Sequence, residues 1–283
     1  MNAAAVLLAL LAALGYGSSD FTAGVGGRRT SVGGVVLAQQ PVAALATIVV
    51  WALAGSSSPT AGALAWGAVS GLGNGFGTVA LYRGLAAARM SVVASLSAVF
   101  AALVPAVVGI ALGDRLSALE VTGMVLAIPA IVLVSLSAGS EGGRRPGIRE
   151  GLVAGAAFGL FFVALDRAGT ASGAWPLVPG EAVTLAIAIP LGLAMSRAEG
   201  GRRASIPYGV VAGVLGACAT AAFFFAAGNG DLSLVAVLTS LYPAVTIVLA
   251  RAVLTERWSR SQGLGLLAAA ASVVLISVGS AAS

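Results

Sequence analysis

The sequence contains no histidine and no lysine, and Cys218 is its only cysteine. Without histidine it lacks the imidazole that often ligates metals and the base that a serine hydrolase of the usual kind requires. A single cysteine excludes an internal disulfide and a cysteine metal cluster, and without lysine no P-loop can be completed. The sequence therefore predicts no metal site, no cofactor and no enzymatic activity.

Charge is scarce as well, since charged residues make up 9% of the 283 residues, hydrophobic residues make up 59%, and the mean hydropathy is +1.02. A soluble domain of average composition carries about 25% charged residues. A helix needs about 20 residues to cross a hydrocarbon core of about 30 Å, and the uncharged stretch from Thr30 to Tyr82 has room for two such helices. The pattern predicts an all-α integral membrane protein that lies in a lipid bilayer.

Uncharged runs along the chain predict ten transmembrane helices. The spans are expected at 3–24, 31–54, 61–83, 91–112, 117–138, 150–168, 173–195, 205–227, 232–254 and 261–281.

The sequence also repeats itself at an offset of 142 residues. Matches run from the first span to the last, among them Gly17 with Gly159, Gly67 with Gly209, Ser91 with Ser233, and Leu112–Ser117 with Leu254–Ser259. We therefore predict two five-helix repeats, at 1–138 and 149–283, joined by a linker at 139–148. Because five is odd, the second repeat must be inverted in the membrane relative to the first, an arrangement that forms a substrate site at the midplane between the halves.

The distribution of arginine predicts the orientation. All 15 basic residues are arginines, and 13 of them fall after spans 1, 3, 5, 7 and 9, whereas only Arg115 and Arg167 fall on the other side. Basic loops stay in the cytoplasm, so both termini and the loops after even-numbered spans are expected outside. The net charge of +5 is spread over short loops, and it does not indicate nucleic-acid binding.

Two motifs resemble a known family. The stretch Gly15–Phe21, followed by Arg28 and Arg29, is similar to the opening of bacterial permeases of the drug/metabolite transporter superfamily. The paired turns Leu112–Ser117 and Leu254–Ser259 resemble the turn that closes the fourth span of each EamA-type repeat. The resemblance implies a bacterial inner-membrane carrier with a cavity lined by spans 1–4 and 6–9 and with spans 5 and 10 outside it. Within those turns, Asp114 and Glu256 are expected to cap the helices that follow.

Glu181 is the leading candidate for a functional side chain. An ionisable group in a span costs about 2.5–3.5 kcal/mol or more at the helix centre, so it needs a cavity or a partner. The offset of 142 places Glu181 opposite Gln39, which gives each half one polar side chain at matching depth. Both are predicted to bind substrate, or else to form a structural hydrogen bond between helices. A buried carboxyl group can also exchange a proton, which makes Glu181 the proton-coupling candidate, unless Arg83 or Arg251 pairs with it.

Asp20 and Asn74 are further candidates with two readings each. Asp20 follows Tyr16 by one turn in span 1 and either faces the cavity or pairs with Arg28 or Arg29. Asn74 lies at the middle of a glycine-rich span 3, where its amide must be hydrogen-bonded across helices or to the transported molecule.

Aromatic residues are predicted to form a wall in the second half, from Phe158, Phe161 and Phe162 in span 6, from 223–225 in span 8, and from Tyr242 in span 9. Three consecutive residues cannot share one helix face, so part of 223–225 is expected to face lipid. Phe158 is placed in the cavity because the repeat aligns it with Tyr16, and both are predicted to bind substrate together with Tyr242.

These features predict a secondary transporter that works by alternating access on a small metabolite, an amino acid or a related compound, with export favoured over uptake. A multidrug exporter of the same fold is the nearest alternative. An intramembrane enzyme and a membrane scaffold that does not transport are more distant ones.

Overall fold

The computed structural model describes residues 2–54, 58–87, 90–135, 147–199, 202–254 and 259–282, and these residues form helices joined by short turns, without a strand. The predicted linker up to residue 146 lies outside the described residues, as do Arg89, Glu256 and Arg257. The helices are α1 (Ala3–Arg29), α2 (Val32–Leu53), α3 (Ala61–Ala87), α4 (Met90–Leu112), α5 (Ala118–Ser135), α6 (Ile148–Ala168), α7 (Leu177–Glu199), α8 (Arg202–Ala227), α9 (Leu232–Thr239), α10 (Tyr242–Leu254) and α11 (Arg260–Ala282).

Six of these helices are long and apolar enough to cross a membrane. They lie at Ala3–Arg29, Val32–Leu53, Ile148–Ala168, Leu177–Ser196, Arg203–Ala227 and Arg260–Gly279. Three shorter apolar segments, at Leu96–Leu112, Ala118–Leu133 and Leu232–Thr246, lie in the other predicted spans. The remaining helix, α3, is 27 residues long and rich in glycine. The chain is therefore a multi-pass integral membrane protein.

Helices α5 and α11 begin with the same capping arrangement. Ser117 Oγ accepts from the Glu120 backbone N–H at 3.3 Å, while Glu120 Oε2 accepts from the Ser117 N–H at 2.7 Å. Ser259 and Gln262 form the equivalent pair, at 3.1 and 3.0 Å. Such reciprocal bonds satisfy two backbone donors that the first turn would leave free, and the two pairs are related by the offset of 142.

The prediction that Asp114 caps the helix following it is wrong. Its Oδ2 accepts from the backbone N–H of Ser233 at 2.9 Å, so it caps α9 from the other half of the chain. Asp231, at the N-cap position of α9, forms no side-chain capping bond to that helix. The first turn of α5 is already capped by Ser117, which explains why Asp114 is available to α9.

The ninth predicted span is interrupted, with α9 ending at Thr239 and α10 beginning at Tyr242. Pro243 follows the break, and proline lacks the N–H that would continue the helical ladder. Gly17 lets α1 lie close to the interruption, because a Cβ at this residue would lie 2.5 Å from the Tyr242 carbonyl oxygen. Thr246 Oγ1 also donates to the Gly17 carbonyl oxygen at 3.0 Å.

Packing between the helices is preserved when the two halves are exchanged. Helix α1 packs on α8 as α6 packs on α3, and α2 packs on α8 as α7 packs on α3. Helix α4 packs on α6 as α9 and α10 together pack on α1. Two further packed pairs, α2 with α7 and α5 with α11, each join equivalent helices of the two halves, so exchanging the halves leaves these pairs unchanged. Helices α5 and α11 mainly contact each other and lie outside the remaining bundle.

Contacts between turns define the two ends of the bundle. Thr30 and Ser205 share a hydrogen bond of 2.9 Å, which joins the α1–α2 and α7–α8 turns at one end. The Thr60 N–H donates to Ser172 Oγ at 3.2 Å, which joins the α2–α3 and α6–α7 turns at the other. Arg28 and Arg29 therefore lie at the first end and Arg167 at the second.

Candidate functional site

One cavity lies among α1, α2, α3, α4, α6, α7, α8 and α10. Its empty volume is about 760 Å³, including open space at its mouth. All seven predicted substrate-binding residues line it, namely Tyr16, Asp20, Gln39, Asn74, Phe158, Glu181 and Tyr242. The structure thus brings together residues that are up to 226 positions apart in the sequence.

Glu181 lines the cavity from the first turns of α7. Its Oε1 atom is buried and has no hydrogen-bond partner among the described residues. Arg83, one of the two predicted partners, is exposed towards the end of α3 and forms no ion pair with it. The side chain of Arg251 lies outside what the structure describes. Glu181 therefore presents an unpaired carboxyl oxygen in apolar surroundings.

Asp20 lines the same cavity from α1. Eight residues separate it from Arg28, which is about 12 Å along a helix, and Arg28 and Arg29 are exposed at the end of α1. Asp20 therefore lies at the cavity, the first of the two positions considered from the sequence.

Three tyrosines lie near Asp20, and one of them also lies near Glu181. Tyr16 lies within electrostatic range of both Asp20 and Glu181, while Tyr82 and Tyr242 lie within range of Asp20. The carboxyl groups, one from each half of the chain, thus border a common space.

Hydrogen bonds between helices hold the polar lining in place. Tyr82 donates to Gln39 Oε1 at 3.1 Å, and Asn74 Nδ2 donates to Thr184 Oγ1 at 3.4 Å. Tyr16 and Thr220 share a bond of 2.9 Å between their hydroxyl groups. Asn74 is therefore bonded across helices, which was one of its two expected environments.

Part of the predicted aromatic wall lies in the cavity, where Phe161 and Phe162 join Phe158. The ring centroids of Phe162 and Tyr16 are 6.2 Å apart, and those of Phe162 and Phe223 are 4.3 Å apart. Phe223 and Phe224 are buried in the core behind this wall. These two are covered because α1 and α2 pack on α8 from more than one side. The expectation that part of 223–225 faces lipid is left to Phe225, which is partly exposed.

Several lining residues were not singled out from the sequence, among them Gln40, Thr78, Tyr82 and Thr220. Helical spacing would have found two of them, because Thr78 and Tyr82 follow Asn74 on α3 at intervals of four residues and so share its face.

The described lining contains two acids and no basic residue. Within the described part of the chain, no group of three or more Asp, Glu or Cys side chains is placed to hold a metal ion. The site can therefore recognise a positively charged or polar molecule through carboxyl, amide and hydroxyl groups set among aromatic rings.

Comparison with known proteins gives a family match over the second half of the chain, and a fold. Residues 146–278 match the model of the EamA-like transporter family. Among solved structures 23 chains match, and one crystal structure superposes with a TM-score of 0.71 over 98% of this chain and 99% of its own, at 16% identity. An identity this low shows the fold alone. No curated protein matches the sequence significantly.

Proposed function

We propose that this chain, which belongs to the EamA-like transporter family through its second half, is a secondary transporter that moves a small metabolite through the central cavity by alternating access. The metabolite is an amino acid or a related compound, and it is exported. The single observation that carries this proposal is the cavity itself, which residues of both halves of the chain line at matching positions.

Matching positions are defined by the offset of 142 residues. Six pairs of residues related by this offset both line the cavity: Tyr16 with Phe158, Ser19 with Phe161, Asp20 with Phe162, Gln39 with Glu181, Asn74 with Gly216, and Thr78 with Thr220. A pseudo-twofold axis through the cavity accounts for such pairs, and the exchangeable helix packing supports the same axis. We infer ten membrane spans in two inverted repeats, with α9 and α10 as one interrupted span. Interrupted helices are found where a binding site opens beside them.

The proposed location is a bacterial inner membrane with both termini outside. Support comes from the arginines, because Arg28, Arg29 and Arg203 lie at the end of the bundle that holds the α1–α2 and α7–α8 turns. Arg115 and Arg167 belong to turns at the opposite end. The more basic end is placed in the cytoplasm by the rule for short loops.

Glu181 is proposed to couple transport to a proton gradient. No nucleotide-binding motif is present in the sequence, so a gradient must supply the energy. Glu181 has an unpaired oxygen at the cavity wall, where its carboxyl group can release a proton when an amine binds and take one up when the amine leaves. Each cycle then moves a proton inward and the amine outward.

The test is exchange and gradient-driven transport in liposomes that contain the purified protein. We expect counterflow of a labelled amine or amino acid in the wild type and faster transport when a pH gradient is imposed. Glu181→Gln should keep counterflow and lose the response to the gradient, while Glu150→Gln, which changes an acid that does not line the cavity, should keep both. If Glu181→Gln responds to the gradient as the wild type does, Glu181 is not the proton carrier.

A multidrug exporter is the second candidate, and the aromatic side chains of Phe158, Phe161 and Phe162 at the cavity favour it. Broad binding of flat lipophilic cations is the expected property of such a wall. Exchange of several unrelated dyes at similar rates, with no exchange of small metabolites, would favour this function over the metabolite carrier.

A further inference from the structure

We infer that the cavity selects organic cations, namely amines that lack a carboxylate, over zwitterionic amino acids and over anions. This inference rests on the proposed function and narrows the class of the transported molecule. It follows from three features of the cavity: the sign of its charges, the occupation of its hydrogen-bond donors, and the position of its aromatic rings.

The first feature is the charge of the lining. Asp20 and Glu181 both border the cavity, and Glu181 Oε1 is buried without a hydrogen-bond partner among the described residues. A buried carboxylate without a cation is unfavourable, and a bound ammonium group supplies the missing charge. The described lining holds no arginine, so the carboxylate of a zwitterion would remain unpaired beside two groups of its own sign. Repulsion of this kind is an effective means of discrimination between similar ligands.

The second feature is that three donor groups of the lining are already engaged between helices. The hydroxyl of Tyr82 donates to Gln39, and the amide of Asn74 donates to Thr184. The hydroxyl of Tyr16 shares its bond with Thr220. A bound carboxylate would compete with these bonds between helices for their donors, whereas an ammonium group needs only acceptors.

The third feature is that the space between the acids is bordered by aromatic rings. Tyr16 lies within electrostatic range of both acids, and its ring contacts Phe162 edge-on, with 6.2 Å between the centroids. Phe158 and Phe162 line the same cavity. The faces of such rings attract cations, most strongly where water is excluded, and their area also suits the apolar part of a small amine.

Exchange of a proton for the cation keeps the charge in balance. The ammonium group binds as the carboxyl group of Glu181 releases its proton. The cavity therefore gains the positive charge of the ammonium group and loses that of the proton, and its net charge stays the same. No bond other than the O–H bond of the carboxyl group breaks, and the proton leaves to water.

The inference is tested with three probes that share a phenyl group and differ in the ionic groups they carry: an ammonium group alone, an ammonium group with a carboxylate, and a carboxylate alone. They are 2-phenylethylamine, phenylalanine and 3-phenylpropionate, and their binding to the purified full-length protein is measured by equilibrium dialysis. Loss of one charge-assisted contact corresponds to about tenfold in affinity or more. We expect the amine to bind at least about tenfold more tightly than phenylalanine, and 3-phenylpropionate to bind more weakly still. Equal or tighter binding of phenylalanine would overturn the inference.

Variants identify the groups responsible for the preference. Glu181→Gln and Asp20→Asn should each reduce amine affinity about tenfold or more and bring it closer to that of phenylalanine, and the control Glu150→Gln should change neither. Thermal unfolding without ligand shows which variants fold, and if one does not, the other decides the outcome. Unchanged amine affinity in the folded variant would contradict the role of the acids.

Counterflow in liposomes separates this inference from the proposed function. If the protein exchanges phenylalanine and excludes 2-phenylethylamine, it is a transporter and the cation inference is wrong. If it binds 2-phenylethylamine and exchanges none of the probes, the cation site stands and the transport function is wrong. If no probe binds and none is exchanged, both are wrong.

Discussion

Replacing Gly17 by alanine tests how closely α1 packs on the interruption between α9 and α10. A Cβ at residue 17 would lie 2.5 Å from the Tyr242 carbonyl oxygen and 2.6 Å from the Cβ atom of Val245. The oxygen is a backbone atom and cannot turn away as a flexible side chain can. The added methyl group must therefore push α1 and α10 apart, which also moves Tyr242 at the cavity.

The same helix offers a matched control in Gly24, where a Cβ would meet no other atom within 4 Å. Alanine in place of helical glycine gains about 0.5–1 kcal/mol from backbone entropy at either position. Overpacking costs about 1–3 kcal/mol and applies to Gly17 alone. The gain is common to both variants and cancels, so Gly17→Ala is expected to be about 1–3 kcal/mol less stable than Gly24→Ala.

Thermal unfolding of the two purified variants in the same detergent measures this difference. At roughly 2–4 °C per kcal/mol for a domain of about 150–250 residues, Gly17→Ala should melt several degrees below Gly24→Ala. Binding of 2-phenylethylamine to Gly17→Ala should also weaken, because Tyr242 moves. If Gly17→Ala melts at or above the temperature of Gly24→Ala, α1 does not pack on the interrupted helix as described.

Two further predictions concern the turns of the bundle. Asp114→Ala should lower the free energy of unfolding by about 0.5–2 kcal/mol, and with it the melting temperature, because α9 loses its cap. The control Arg115→Ala removes an exposed neighbour and should change the melting temperature little. Equal effects of the two variants would mean that the cap contributes nothing. With the native cysteine replaced, a single cysteine at Ala171 should react with a membrane-impermeant maleimide added to intact cells, and one at Arg29 should react only after lysis; the opposite pattern would reverse the proposed orientation.

The helical fold could be predicted from the sequence because bilayer thickness sets a minimum length for apolar runs. Most helix ends fall within a few residues of the predicted span ends, but α1 continues to Arg29 and α3 to Ala87. Composition cannot set those ends, because a helix can leave the hydrocarbon before its hydrogen-bond ladder stops. The break at Ser240 was also missed, although Pro243 beside it was the available signal.

The location of the candidate site could be predicted because burial of polar groups in a membrane is costly and few positions carry them. The seven predicted residues line one cavity for this reason, and their role in binding stays a prediction. The hydrogen-bond partners of these polar side chains could not be predicted in the same way. That Tyr82 bonds to Gln39, or that Asp114 caps α9 and not α5, depends on which helices become neighbours in space.

The repeat gives the cavity a symmetric scaffold, but at one pair of equivalent positions only one of the two residues is an acid. Glu181 and Gln39 are equivalent by the offset of 142 and both line the cavity, so a twofold axis between them would let either position hold the carboxylate. Exchanging the two residues, Gln39→Glu with Glu181→Gln, should then restore much of the amine binding that Glu181→Gln alone loses. Tyr82, which donates to Gln39 Oε1 at 3.1 Å, can donate equally to a carboxylate there. Equilibrium dialysis with 2-phenylethylamine compares the double variant with Glu181→Gln. If the double variant binds no better than the single one, the positions are not equivalent, and the cation site depends on the surroundings of Glu181 on α7.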